Sequence, residues 1–333
     1  RSLGYTTIKF PTIEGVTLKD INDWFKYCFK DVKQVTEQDL DNSSIKLSID
    51  TQMASMGKEN NILSYLMNQF DEDIAKMSAY QSKMTGFEHL DDVMKGIQAG
   101  LYVVGGMSSL GKTTFVHQLL DQLAEQGDHV MYFSLEQSKI EMVTKSLART
   151  IKNIADDKQC LTSTLIRQGH KNDGLFKALS HYKTFAERVN IYEGNFNTNI
   201  TFIRQEIEKY IKFNNANPII AIDYLQLIPP LDARMTDKAK VDTNITELKR
   251  ISRDYGIPVF VISSLNRGSY TDSIRLDSFK ESGAIEYTAD VVLGLELSIL
   301  NDDKYMKLDK MAEKTNEYNK AKGEVPRKIT LKC

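Results

Sequence analysis

The sequence predicts an α/β protein: a mostly parallel, twisted sheet flanked by helices, preceded by a small α/β piece. Three observations point there. The runs Leu101–Val104, Val130–Phe133, Ile219–Ile222 and Val259–Ile262 are of strand length and apolar throughout, as strands buried on both faces are. Stretches of helical period separate them, the alternation of a sheet covered by helices on both sides. Finally, Gly106-Met-Ser-Ser-Leu-Gly111-Lys112-Thr113 follows the first run and opens a helical pattern, satisfying G-x-x-x-x-G-K-S/T in the order strand, loop, helix.

Taken in order, residues 1–50 read as the small α/β piece. Tyr5–Phe10 alternates like a strand, and Lys19–Phe29 carries apolar residues at helical spacing. Residues 51–84 continue as linker and helix. Glu37–Lys58 is polar, and from Glu59 to Met84 the residues Ile62, Leu63, Leu66, Met67, Phe70, Ile74 and Met77 recur at three and four. That stripe is expected to pack on its own domain; docking on a neighbouring subunit is the other reading. Residues 85–333 form one α/β series. After the Gly106–Thr113 loop, Phe115, Val116, Leu119, Leu120 and Leu123 mark a helix that Gly127 ends. Ser138 and Glu141 form a capping box after the strand Val130–Ser134. Residues 151–185 read as helical with a break near Gly169–Gly174. A short strand over Val189–Tyr192 and a helix over Ile203–Phe213 follow. The strand Pro218–Asp223 leads to a polar loop, a helix over Asn244–Tyr255 and the strand Val259–Ser263. Asp290–Leu295 and Lys328–Cys333 complete the series, and the charge-mixed run 301–328 between them reads as a solvated insertion.

The 333 residues, with a net charge of −2, suffice for one large or two modest domains with ample core. No apolar run approaches the roughly 20 residues that cross a bilayer, so no membrane is expected as partner. The three cysteines (Cys28, Cys160, Cys333) are too far apart for a disulfide framework or a zinc site, and the five histidines give no metal-ligand spacing. A reducing cytoplasm is the expected location. The chain begins with Arg1 and is expected to be a piece of a longer protein.

The glycine-rich loop has a mechanical logic. It curls so that backbone N–H groups face inward, and the next helix aims its positive N-terminus at the same spot. Gly106, Ser108, Ser109, Gly111, Lys112, Thr113 and Thr114 are therefore expected to hold a nucleoside triphosphate, ATP. Lys112 would reach the β- and γ-phosphates and the Thr113 hydroxyl would ligate Mg²⁺. Such a site needs a carboxylate for the metal shell at the end of a strand next to the loop's own strand, and Asp223 closes an apolar strand. It needs a second carboxylate to orient the attacking water, and Glu136 follows the strand Val130–Ser134, expected about one strand away.

From Thr85 onwards the chain resembles the RecA-type ATPase domain of DnaB-type replicative hexameric helicases. The matching pieces are TGFEHLD (85–91), GMSSLGKTTF (106–115), FSLEQS (133–138), IDYLQLI (222–228), SSLNR (263–267), ESGAIE (281–286) and TADVV (288–292). Residues 1–50 resemble the tail of a Toprim domain, so the nearest picture is the helicase part of a phage-type primase–helicase. The resemblance implies a RecA-like P-loop NTPase core and ATP-driven movement on single-stranded DNA, 5′ to 3′. It also implies a homo-oligomeric, six-subunit ring in a bacterial or phage-infected cell, with a primase domain in the same longer chain. It assigns phosphates and Mg²⁺ to Lys112 and Thr113, catalysis to Glu136 and the metal-associated role to Asp223. Where the family has a sensor Gln, this chain has Ser264; Gln226 or Asn266 are the substitutes in reach. Two loops on the DNA side carry Arg234, Lys238 and Lys240, and Arg267, Arg275 and Lys280. Acidic neighbours offset both, so without the resemblance each reads as solvated surface. The family's basic finger follows the last strand; Arg327 precedes that strand and fits the role poorly, so slow hydrolysis is expected. Two rivals remain open: another RecA-type oligomeric ATPase of recombinase or clock type, and a nucleotide-gated loader or scaffold that does not unwind.

Overall fold

A computed structural model describes residues 12–13, 16–17, 62–81, 83–266, 272–279 and 282–333. The strand at Tyr5–Phe10, the helix at Lys19–Phe29 and the polar stretch 37–58 lie outside the described residues, as do Arg267 and Lys280. The chain divides into two compact units, residues 1–72 and 73–333. In the first, β1 (Thr12–Ile13) pairs antiparallel with β2 (Val16–Thr17), and α1 covers Ile62–Asn68. The helix α2 follows over Phe70–Gln81. Of the apolar stripe on α1 and α2, Ile62, Leu66, Met67, Phe70 and Ile74 are exposed.

In the second unit α3 (Glu88–Met94) leads to β3 (Gly100–Gly106), the P-loop strand. Then come α4 (Lys112–Glu125), β4 (Val130–Ser134) and α5 (Lys139–Ile154). The short α6 (Ser163–Arg167) and α7 (Asp173–Lys183) stand on either side of the Gly169 break, before β5 (Val189–Glu193). After them follow α8 (Ile200–Asn214), β6 (Ile219–Asp223), α9 (Asp237–Tyr255) and β7 (Pro258–Ser264). The chain continues through α10 (Ser282–Thr288), β8 (Val291–Leu297), α11 (Asp303–Met306), α12 (Met311–Gly323) and β9 (Ile329–Lys332).

The seven-stranded sheet runs β5-β4-β6-β7-β3-β8-β9, parallel throughout except for β9 against β8. Its strands are apolar on both sides because each side carries a core. Tyr102, Val104, Tyr132, Ala221, Phe260 and Ile262 face α4, α5 and α7. Leu101, Val103, Met131, Phe133, Ile220 and Val261, one residue out of phase, face α8 and α9. The strand order departs from expectation at both carboxylates: the strand of Asp223 is not next to the P-loop strand, and that of Glu136 is farther than about one strand away. The neighbours of β3 are β7 and β8, so β6 stands one strand away from the P-loop strand and β4 two.

One other expectation changes. The helix α9 begins at Asp237, not near Asn244, because the Thr236 hydroxyl caps it by accepting from the Ala239 amide. Lys238 and Lys240 therefore stand on its first turn and not in a loop. The segment between β8 and β9 is largely exposed, as expected of a solvated insertion, but it is anchored to the domain. Tyr305 and Tyr318 are buried and join Leu110, Leu297 and Leu300 in a small core of their own, with Met107 packed against it. Among the described residues no helix is long and apolar enough to cross a membrane.

Candidate active site

The register of the sheet assembles the site. Gly106 at the end of β3 pairs with Ser264 at the end of β7, and Ser134 at the end of β4 pairs with Asp223 at the end of β6. Beyond these ends the chain turns through Gly111, whose φ of +97° falls where L side chains are strained, and enters α4 at Lys112. A close approach fixes the strand itself: a Cβ on Gly105 would sit 2.2 Å from the ring of Phe279, which lies buried on the strand.

A cleft of about 380 Å³ opens over these strand ends. Gly106, Ser108, Ser109, Gly111, Lys112, Thr113, Thr114, Glu136, Asp223 and Ser264 all line it. Asp223 is buried, yet α4 passes close enough for the Thr113 hydroxyl to donate to Asp223 Oδ2 at 2.7 Å. The Tyr132 hydroxyl donates to the same oxygen at 3.1 Å from within the core. Burial pushes the Asp223 carboxyl above its ordinary range, while Thr113, Tyr132, Lys112 and Lys145 pull it back. Burial likewise lowers the Lys112 amine, against the pull of Asp223 and Glu136. Lys112 Nζ donates to the carbonyls of Gly106 (2.8 Å) and Met107 (3.1 Å), folded back on its own loop. Glu136 is exposed at the cleft, two residues beyond the end of β4.

Of the three sensor candidates, only Ser264 lines the cleft. Gln226 donates to the Ser263 hydroxyl at 3.0 Å and accepts from the Ser264 amide at 3.3 Å. Asn266 donates to the Phe279 carbonyl at 3.1 Å, fastening the segment after β7. Both amides are thus spent on neighbouring structure. The basic residues are dispersed. Arg234 is exposed and paired with Asp232, and Lys238 is exposed. Lys240 reaches the Gln226 carbonyl (3.1 Å) and Asp237 (3.2 Å). Arg275 lines a second cavity with Asp272, Asp277 and Lys314.

Sequence reasoning passed over Lys145 and Tyr132. Lys145 on α5 lines the cleft, donates to Gln137 Oε1 at 2.7 Å, and has its amine lowered by burial. Its signal was the four-residue step from Glu141, which puts both on one helix face. Tyr132 reads as an ordinary strand residue, and nothing local gives away its hydroxyl. Behind it lie His117, Asp121 and Ser146, the residue types of a nucleophilic triad. But His117 presents the same Nε2 to Ser146 Oγ (3.3 Å) and Asp121 Oδ1 (3.8 Å), and all three are buried. That arrangement fills a core and activates nothing.

The model of the DnaB-like helicase C terminal domain matches residues 83–326. A probable replicative DNA helicase of Trieres chinensis is 27% identical over 266 residues, covering 75% of this chain and 57% of that protein. The replicative DNA helicase DnaB of Pasteurella multocida is 30% identical over 220 residues, covering 63% and 45%. The chain spans about half the length of the curated relatives it matches. Among solved structures, one described as an ATPase domain superposes with a TM-score of 0.62 at 21% identity, over 76% of this chain and 88% of that one. A DnaB-like replicative helicase, described with its interactions with primase, gives 0.60 at 20%, over 82% and 64%. These two likenesses speak to the fold, a RecA-like ATPase core. With the family model covering most of the second unit, the chain belongs to the DnaB-like helicase C-terminal domain family.

Proposed function

We propose that this chain hydrolyses ATP and couples the hydrolysis to movement along single-stranded DNA, unwinding duplex as a ring of, in the family's usual form, six copies. The observation that carries the proposal is the meeting of Thr113 and Asp223 over the strand ends, with Lys112 and Glu136 lining the same cleft. A hydroxyl and a carboxylate on one side and an amine on the other suit a Mg²⁺-bound triphosphate. Magnesium keeps waters and phosphate oxygens among its ligands and needs few from protein. When bound, it would polarise the terminal phosphate and offset its charge.

The chain's own residues do the rest. Lys112 leaves the Gly106 and Met107 carbonyls for the β- and γ-phosphates. Thr113 and Asp223 would hold the metal, with Tyr132 keeping the carboxylate oriented. Glu136 orients the attacking water and takes its proton. Lys145, which lines the same cleft, adds positive charge there. Ser264 is too short to do what a sensor Gln would do directly, so it signals the nucleotide state through water. DNA contact falls to Arg234, Lys238 and Arg275 with Arg267 and Lys280, as backbone tracking without sequence readout. A primase domain in the same longer chain is the partner we propose. Movement is 5′ to 3′.

The short sensor side chain favours one second reading, a nucleotide-gated loader that binds ATP and DNA without unwinding. Unwinding of a forked duplex, measured alongside the mass of the nucleotide-bound oligomer, tests the choice. Strand separation by a ring supports the helicase. A ring that binds DNA and separates no strands supports the loader, and filaments that exchange strands would indicate a recombinase.

A further inference from the structure

The segment between β8 and β9 lies outside the cleft, yet it grips the P-loop from behind at three points. The Tyr318 hydroxyl on α12 donates to Met107 Sδ. Arg327 Nη1 donates to the Ser109 carbonyl at 2.7 Å, while its Nε donates to the Lys322 carbonyl at 2.8 Å. Leu110 is buried in the small core with Leu300, Tyr305 and Tyr318. Met107 and Leu110 pack away from the cleft against the small core, and the Ser109 carbonyl meets Arg327, while Ser109 itself also lines the cleft. Ser109 is also the loop's one non-glycine residue at positive φ, +67°, a conformation that costs free energy unless its surroundings hold it.

We propose that Arg327 is a positioning residue of the nucleotide site: by holding the Ser109 carbonyl outward, it fixes the loop's approach to Gly111 and Lys112. The peptide plane makes this mechanical. Once the Ser109 carbonyl is tied to the guanidinium, the Ser109–Leu110 peptide cannot rotate, and the packed Leu110 side chain fixes the next Cα. The turn at Gly111 then starts from one orientation. An unbraced loop would sample several, and nucleotide binding would select among them at a loss of affinity. Arg327 suits the task because its second donor is anchored on the Lys322 carbonyl, at the end of α12. The bracing helix and the loop are thereby joined through one planar group. This inference rests on the reading of the cleft as a nucleotide site.

Equilibrium binding of Mg-ADP to the full chain tests it, with Arg327→Gln, Arg327→Lys, Lys320→Gln and Lys112→Ala compared with the parent. Arg327 is exposed and outside the cores, so its replacement leaves the fold intact. Arg327→Gln should weaken Mg-ADP about fivefold, roughly the factor carried by one net hydrogen bond. The KM for ATP should rise in step, with kcat and the nucleotide-free melting temperature unchanged. Arg327→Lys should recover part of the loss, and Lys320→Gln, a change of charge on α12, should bind as the parent does. Parent affinity in Arg327→Gln beside weakened binding in Lys112→Ala overturns the brace alone. So does a loss that Lys320→Gln reproduces, or one that comes with a lowered nucleotide-free melting temperature. Parent affinity in Lys112→Ala overturns the reading of the site itself.

Discussion

Lys112 and Glu136 line one cleft and should fail in different ways when replaced. Lys112→Ala removes the amine that meets the phosphates, so nucleotide affinity should fall. Glu136→Gln keeps the shape and loses the base, so binding should persist while hydrolysis drops about 10²- to 10⁴-fold. Titration with a fluorescent nucleotide and a phosphate-release assay separate the two; a Glu136→Gln variant hydrolysing at the parent rate removes Glu136 from catalysis. Asp223 adds a pH dependence. Because burial raises its pKa, it takes up a proton at higher pH than a free carboxylate. Its contribution to stability is full below the ordinary value of 3.8 and lost as the pH rises through the raised one. Metal binding needs the ionised form and runs the opposite way. Mg²⁺-dependent nucleotide affinity should therefore decline on acidification, starting at higher pH than an ordinary carboxylate would allow. Tyr132→Phe removes a hydrogen bond that favours the charged form and should move that decline to still higher pH. A midpoint unmoved by Tyr132→Phe would show that the Tyr132–Asp223 hydrogen bond does not tune this titration.

Among the elements, the segment after β7 is fastened by Phe279, which lies on Gly105. Phe279→Ala should cost about 3–5 kcal/mol of stability, as buried aromatic truncations do. Chemical denaturation measures it, and a cost under about 1 kcal/mol would mean the ring is not what holds that segment. The basic residues divide by exposure. Lys240 is engaged with Gln226 and Asp237, whereas Arg234, Lys238 and Arg275 are exposed. Neutralising those three should weaken single-stranded DNA binding in every sequence context. The log–log salt slope should flatten by roughly one unit per lost contact, and Lys240→Gln should leave it alone. An unchanged slope in the triple variant would move the DNA path elsewhere. The strands were legible because burial on both faces demands unbroken apolar runs, and the cap at Ser138 because Glu141 completes its box. The start of α9 was not, since Thr236 caps it with no glutamate three residues on, and the charged 237–243 stretch resembles loop. The stripe on α1 and α2 gives a helix correctly but does not say what, if anything, covers it.

On the scale of the whole molecule, the sequence carries the inventory of the site and omits its geography. Thr113 and Asp223 are 110 residues apart, and only the sheet order β4-β6-β7-β3 and the crossing of α4 bring them together. Strand order is a property of packing and connection that no local pattern encodes. The same holds for Lys145, Tyr132 and the grip of α12 on the P-loop. The central claim is that this cleft hydrolyses ATP and that DNA on the far loops changes how fast. Its most direct test is single-turnover phosphate release from Mg-ATP with the chain in excess, with and without single-stranded DNA, using Glu136→Gln as the blank. The format reads even a slow step. Release should exceed the blank, rise with single-stranded DNA and vanish in Glu136→Gln under both conditions; a parent rate equal to the blank, or one indifferent to DNA, would contradict the claim.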